Sequence, residues 1–385
     1  MKNSTLQFAF LIFALLQINC SSPLKKCTIT GRIIGRSSSS IWLSDALGRP
    51  DQPIAEIPIT DSTFTFELDA DPVKAYMLNF YDDLNGPNGI YPIIIFPDQE
   101  KISLILYDSK RMVQNKINGG NLNKQFAEFI GLIKSKYDPL LKTCYDSLSV
   151  LSQTDNSYKR INKTLDSIIR DKHSWCYKYY DQNQSLVSYY LILDELHIGF
   201  SAGGFDEKYS DFSIIKNLLI RLSAKYPGHP YNRISNDLIA AYDKIKVGGE
   251  FIDFKLPDID GNMITLSQVI KGKIALIDLW ATWCGPCIRT SRSMIPVYNE
   301  FKDSGFTIIG VANEIDNTDQ LRVTLEHEKF PWLNLVEINN RNGIYAKYKI
   351  PDAAGGTFLI DKAGKILAIS PSAEEVRTIL TKMLK

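Results

Sequence analysis

Ile274-Ala275-Leu276-Ile277-Asp278-Leu279-Trp280, followed by Ala281-Thr282-Trp283-Cys284-Gly285-Pro286-Cys287, decides the fold of the C-terminal third of this chain. The first half is an apolar run rich in β-branched residues, the pattern of a buried strand. The second half ends in two cysteines two residues apart, with a proline suited to the first turn of a helix. Cys284 is therefore expected at a strand-to-helix turn, near the positive end of a helix dipole that favours a thiolate. A thiolate is the attacking species in disulfide exchange. Zinc sites use the same CxxC spacing, but no second CxxC and no histidine pair at ligand spacing accompanies this one.

With Trp283 before the cysteines and Gly285-Pro286 between them, the stretch resembles thioredoxin, and more closely the TlpA/ResA-like thiol-disulfide oxidoreductases of bacterial envelopes. The resemblance runs from about Val247 to Lys385. It implies that Cys284 is the nucleophile and that Cys287, one turn into the helix, resolves the mixed disulfide. It also implies that Asp278 is the buried acid that deprotonates the resolving cysteine. Burial raises the pKa of such a carboxyl and suits it to proton transfer. Trp280, Trp283, Gly285 and Pro286 match the family's active-site surroundings and are expected to offer a partly apolar platform to a protein substrate. Pro296 matches the proline inside the family's active-site helix.

One position departs from the pattern. The family places a cis-proline just before a strand like Thr357-Phe358-Leu359-Ile360-Asp361, facing the cysteines. Counting back from Phe358 puts Gly355 there, followed by Gly356, and Pro351 lies too early to replace it. Both glycines are expected on the substrate side, with a freer loop and an altered grip on substrate.

Outward from this region, strands and helices alternate to the C-terminus. Phe306 to Ala312, Trp332 to Ile338, Thr357 to Asp361 and Ile366 to Ile369 read as strands, the last two as a hairpin. Asp319 to Lys329 and Ser372 to Leu384 read as helices, with Ser372 and Glu375 spaced as a capping box. The order matches a thioredoxin fold. Upstream, Gly248-Gly249 marks a boundary, and from 119 to 246 the apolar residues recur three or four apart, predicting about five helices. Tyr177, Tyr179, Tyr180, Tyr189 and Tyr190 crowd this region and suit either helix packing or an interface. From 27 to 118, short alternating strands punctuated by turn residues predict a β-sandwich or open barrel. The fold class expected is thus multidomain: a β-rich N-terminal domain, an all-helical middle and a C-terminal α/β thioredoxin fold over 247–385.

Lys2 and the apolar Phe8 to Leu16 read as a signal peptide over 1–19, too short to span a bilayer. Leu16-Gln17-Ile18-Asn19-Cys20 resembles a bacterial lipoprotein cleavage site, which implies lipidation at Cys20 and a linker over 20–26. Export places the protein in the periplasm or cell envelope. At 385 residues the length allows two or three domains. With 44 basic and 43 acidic residues the net charge is +1, which gives no electrostatic footprint for nucleic acid. Cys144 and Cys176 are expected to pack as buried thiols or to pair with each other. Cys27 and the scattered His173, His197, His229 and His327 carry no metal spacing.

The sequence thus predicts an envelope protein-disulfide reductase with no cofactor beyond its own Cys284–Cys287 couple and no metal. Its partners would be protein thiols and disulfides and a membrane electron donor. A thiol peroxidase is the first alternative, although Trp280-Ala281-Thr282-Trp283 lacks the peroxiredoxin Pro-x-x-x-Thr-x-x-Cys arrangement. A non-enzymatic binding or redox-sensing envelope module is the second.

Overall fold

A computed structural model describes residues 26–48, 50, 53–84, 92–152, 154–197, 208–350 and 355–384. The expected signal peptide, Cys20, the linker up to Lys25, and Pro351 lie outside the described residues. Among the described residues no helix is long and apolar enough to cross a membrane.

The first part is two four-stranded sheets packed face to face. Its strands are β1 (Lys26–Ile34), β2 (Ser40–Asp45), β3 (Ala55–Pro58), β4 (Thr63–Asp69), β5 (Tyr76–Phe80), β6 (Ile93–Ile95), β7 (Lys101–Tyr107) and β8 (Lys116–Asn118), with a one-turn helix α1 (Tyr81–Leu84) after β5. One sheet has the order β4-β1-β7-β8 and the other β3-β2-β5-β6. Alternating side chains such as Ile29, Ile41, Leu43, Leu78, Ile102 and Leu104 fill the space between them. This settles the open choice in favour of a sandwich. β3 and β8 are short edge strands whose few residues carry little alternation to read.

Five helices follow: α2 (Asn121–Ser149), α3 (Asn156–Gln182), α4 (Leu186–His197), α5 (Phe212–Lys225) and α6 (Tyr231–Lys244). They share one apolar core with the outer face of the second sheet, where Ala46, Met77, Ile94 and Phe96 meet Phe129, Tyr137, Tyr190 and Leu219. Polar pins fix the join. Asn123 accepts from the Phe96 amide at 2.8 Å and donates to the Phe96 carbonyl at 2.8 Å. The Ala75 amide donates to the Tyr231 hydroxyl at 2.7 Å. The tyrosine cluster belongs to this core, since Tyr177, Tyr180, Tyr189 and Tyr190 are all buried. Cys27, Cys144 and Cys176 are buried free thiols, so Cys144 and Cys176 do not pair. Burial pushes the Cys176 thiol up to about 12 and that of Cys27 to about 11, which leaves both protonated and inert.

The last part has the thioredoxin-like architecture. Its elements are β9 (Lys255–Pro257), β10 (Met263–Thr265), α7 (Leu266–Val269), β11 (Ile274–Trp280), α8 (Gly285–Phe301), β12 (Phe306–Glu314), α9 (Asp319–Glu328), β13 (Leu333–Ile338), α10 (Ile344–Lys347), β14 (Gly356–Ile360), β15 (Ile366–Ile369) and α11 (Ala373–Leu384). The five-stranded sheet runs β13-β12-β11-β14-β15. β11, β12 and β13 are parallel, and β14 returns antiparallel to β11. Central β11 is buried along its whole length, which explains its near-continuous apolar sequence. Its odd-numbered residues Ala275, Ile277 and Leu279 face the core under α10 and the 245–270 segment. Its even-numbered residues Ile274, Leu276 and Trp280 face α8, α9 and α11. The alternation of a strand therefore places Asp278 on the α8 side. Ser372 and Glu375 form the expected capping box, with Ser372 N to Glu375 Oε2 at 2.7 Å and Glu375 N to Ser372 Oγ at 3.3 Å.

Candidate active site

Cys284 and Cys287 are joined in a disulfide at the mouth of α8. Cys284 is the helix N-cap, and its Sγ accepts from the Cys287 amide at 3.3 Å. That amide is one of the donors a helix leaves unpaired at its start, so a thiolate at Cys284 meets a partial positive charge there. Cys284 is half-buried, while Cys287 lies beneath it at 9% exposure. The outer cysteine is thus the more open of the two to a partner.

A cavity of about 1020 Å³ opens beside the disulfide. Its walls include Asp278, Cys284, Cys287, Arg289, Gly355 and Glu375. Asp278 is 3% exposed, and burial pushes its carboxyl up to about 6, offset in part by a hydrogen bond from Ser291. Ser291 Oγ lies 2.6 Å from Asp278 Oδ2 and 3.1 Å from the Cys287 carbonyl oxygen. A carboxyl that titrates near neutrality, in the same cavity as a thiol that must lose a proton, can act as base and then as acid.

The glycines behave differently from each other. A Cβ on Gly355 would stand 2.5 Å from Cys287 Sγ and 2.6 Å from the Leu279 carbonyl oxygen, so Gly355 faces the disulfide directly. A Cβ on Gly356 would meet Ile350 instead, because successive strand positions point to opposite sides. Gly356 lines the cavity through its backbone alone.

Trp283, Gly285 and Pro286, the residues expected to form a docking platform, are exposed around Cys284. Trp280 is not part of that platform. It is fully buried on the α8 side of the sheet, edge-on to Phe330, with its Nε1 donating to Asn334 Oδ1 at 3.2 Å. A side chain inside a central strand cannot touch a partner, so its expected place in substrate binding is corrected to a core position beneath the site.

Two residues were not picked out from the sequence. Ser291 sits one turn after Cys287 on the inner face of α8, a position that helical spacing alone makes legible. Glu314, at the end of β12, is buried and grips the turn before Trp283. Its Oε1 accepts from the Thr282 amide at 2.9 Å and its Oε2 from Thr282 Oγ1 at 2.6 Å. Burial raises its pKa against the pull of these two bonds.

The histidines lie elsewhere. His173 is buried with Nδ1 3.1 Å from Glu195 Oε1, His229 bonds the Val73 carbonyl, and His327 is on the surface beside Glu328. The side chain of His197 is outside the described residues. Among the described residues no group of three or more His, Cys, Asp or Glu is arranged to hold a metal.

The AhpC/TSA family model matches residues 247–369. The thiol-disulfide oxidoreductase ResA of Bacillus thuringiensis (strain Al Hakam) is 32% identical over 126 residues, which is 32% of this chain and 69% of the relative. The thiol:disulfide interchange protein DsbE of Pseudomonas fluorescens biotype C is 31% identical over 121 residues, 31% of this chain and 64% of the relative. Among solved structures, the thioredoxin domain of a thiol-disulfide oxidoreductase from Bacteroides vulgatus is 25% identical at a TM-score of 0.34, covering 37% of this chain and 100% of that one. The ResA match, which covers 69% of that relative at 32% identity, carries the assignment: the chain belongs to the TlpA/ResA-like thiol-disulfide oxidoreductases of the thioredoxin superfamily.

Proposed function

We propose that this oxidoreductase reduces disulfides of exported proteins through the Cys284–Cys287 dithiol, with no bound cofactor or metal. The observation that carries the reading is the pairing of a half-exposed Cys284 at a helix N-cap with a buried Cys287 in a cavity shared with buried Asp278. In the reduced enzyme the Cys284 thiolate attacks a substrate disulfide, forming a mixed disulfide and releasing one substrate sulfur as thiolate. Asp278 takes the proton from Cys287, whose sulfur attacks Cys284 and releases the second substrate sulfur. The substrate gains two electrons and the enzyme loses two. A donor dithiol, supplied by a membrane partner, returns them.

Trp283 and Pro286 form the platform beside Cys284, and Gly355 and Gly356 form the facing wall. The Gly-Pro pair between the cysteines supports reduction as the working direction, by its likeness to thioredoxin. The apolar Phe8 to Leu16 and Cys20 support an exported, lipid-anchored protein of the cell envelope.

The reduction potential of the couple tests the direction. A value near that of thioredoxin, about −270 mV, supports the reductase, and one near about −120 mV makes the protein an oxidant instead. Cys284→Ser is expected to abolish exchange, while Cys287→Ser traps the substrate as a mixed disulfide. Peroxide consumption faster than disulfide exchange would assign a thiol peroxidase in place of this reading.

A further inference from the structure

We propose that Ser291 is the positioning residue of the buried acid: its hydroxyl holds Asp278 against the first turn of α8 and changes hydrogen-bond partner as Asp278 gains and loses its proton. The inference deepens the exchange reading and rests on it for its catalytic consequence. Its structural part stands on the geometry alone.

Ser291 is fully buried, and its Oγ reaches both Asp278 Oδ2 and the Cys287 carbonyl oxygen. A serine hydroxyl carries one hydrogen and can accept as well as donate. When Asp278 is ionised, the hydrogen goes to the carboxylate, because a charge-assisted bond is the stronger of the two. When Asp278 is protonated, the acid donates to Ser291 Oγ and the serine hydrogen turns to the Cys287 carbonyl. Both states of the acid are thus hydrogen-bonded without movement of the backbone. The Ser291 hydroxyl bonds this buried carboxylate directly, and losing that donor disfavours the ionised form.

The charged groups that line the same cavity are Arg289 of α8 and Glu374 and Glu375 of α11. In register beside Asp278 stand Gly310 of β12 and Thr357 of β14, neither of them charged. The cysteines of α8 share its cavity, and Tyr345 of α10 feels its charge. The influences resolved on Asp278 are burial and the Ser291 bond, with no cation among them. The serine is therefore the polar group that keeps ionisation of Asp278 within reach of neutral pH. In the resolving step, the proton leaving Cys287 goes to Asp278, and the serine hydrogen swings from the carboxyl to the Cys287 carbonyl. When Asp278 releases that proton, the hydrogen swings back.

The test follows the protonation of Asp278 by the infrared carbonyl band of its acid form in the full-length oxidised protein, assigned with Asp278→Asn. It is paired with the pH profile of mixed-disulfide resolution. Ser291→Ala is expected to move both midpoints upward by about one pH unit, which slows resolution about tenfold well below the wild-type midpoint and about twofold one pH unit above it. Mixed-disulfide formation by Cys284 should slow less. Ser291→Thr, which keeps the hydroxyl, is expected to restore both midpoints and serves if the alanine variant folds poorly. An Asp278 midpoint unchanged in Ser291→Ala overturns the proposal, as does equal slowing of both steps with no change in pH profile. A wild-type protein that reduces no disulfide sinks the exchange reading, while the infrared titration still decides the role of Ser291.

Discussion

Gly355 stands against Cys287 so closely that a single added carbon would lie 2.5 Å from the sulfur. The same carbon would lie 2.6 Å from the Leu279 carbonyl oxygen, which belongs to the rigid central strand and cannot yield. The glycine is required here for space, since its φ is not in the left-handed region. Glycine is the residue that lets this backbone close on the disulfide.

Replacing Gly355 tests that closeness. Gly355→Ala is expected to destabilise the oxidised protein by about 1–3 kcal/mol, the usual cost of forcing a methyl into a packed site. Denaturant unfolding of the oxidised protein measures it. An unchanged midpoint would falsify the close approach.

Asp278 makes stability depend on pH with a definite sign. Its folded pKa, about 6, lies above the ordinary aspartate value of 3.8, so the folded state holds the proton more tightly. Stability then falls as pH rises between about 4 and 6, and the full penalty, on the order of 3 kcal/mol, is present above that window. Asp278→Asn removes the ionisation. It should therefore be more stable than wild type at pH 8 and gain nothing near pH 4. Chemical denaturation at the two pH values checks the crossover, and an equal difference at both would show that Asp278 is not the titrating group.

Glu314 ties the redox turn to the end of β12 through two bonds to Thr282. Glu314→Ala frees that turn and should slow disulfide reduction about tenfold, a loss of about 1.4 kcal/mol in transition-state stabilisation. Glu314→Gln can still accept from the Thr282 amide and donate to its hydroxyl, so it should retain most of the rate. Steady-state kinetics on all three proteins decides this, and equal loss in both variants would point to the charge rather than the clamp.

The Tyr231 hydroxyl caps the Ala75 amide at the join between the sandwich and the helices. Tyr231→Phe leaves that buried amide without a partner and should cost about 1–3 kcal/mol. The loss should fall on the shared core and leave the reduction potential of Cys284–Cys287 untouched. A shifted potential would show that the upstream parts and the redox site are coupled.

The sequence by itself determined the strand, the turn, the helix start and the two cysteines, because these follow from local rules. An apolar β-branched run makes the buried strand, a proline suits the first turn, and a cysteine just before it becomes the N-cap. Helical spacing also marked the middle region as helical. Only the tertiary structure decided which distant groups those elements meet. Thr282 finds Glu314 32 positions away, and Asp278 finds Ser291 13 positions away. Gly355 closes on Cys287 from the start of the neighbouring strand β14. Trp280 shows the same limit, since its neighbours in sequence suggested a surface that the packing of α8 on β11 covers. Such contacts depend on strand order and register, which are set by the whole sheet and are written in no single stretch of chain.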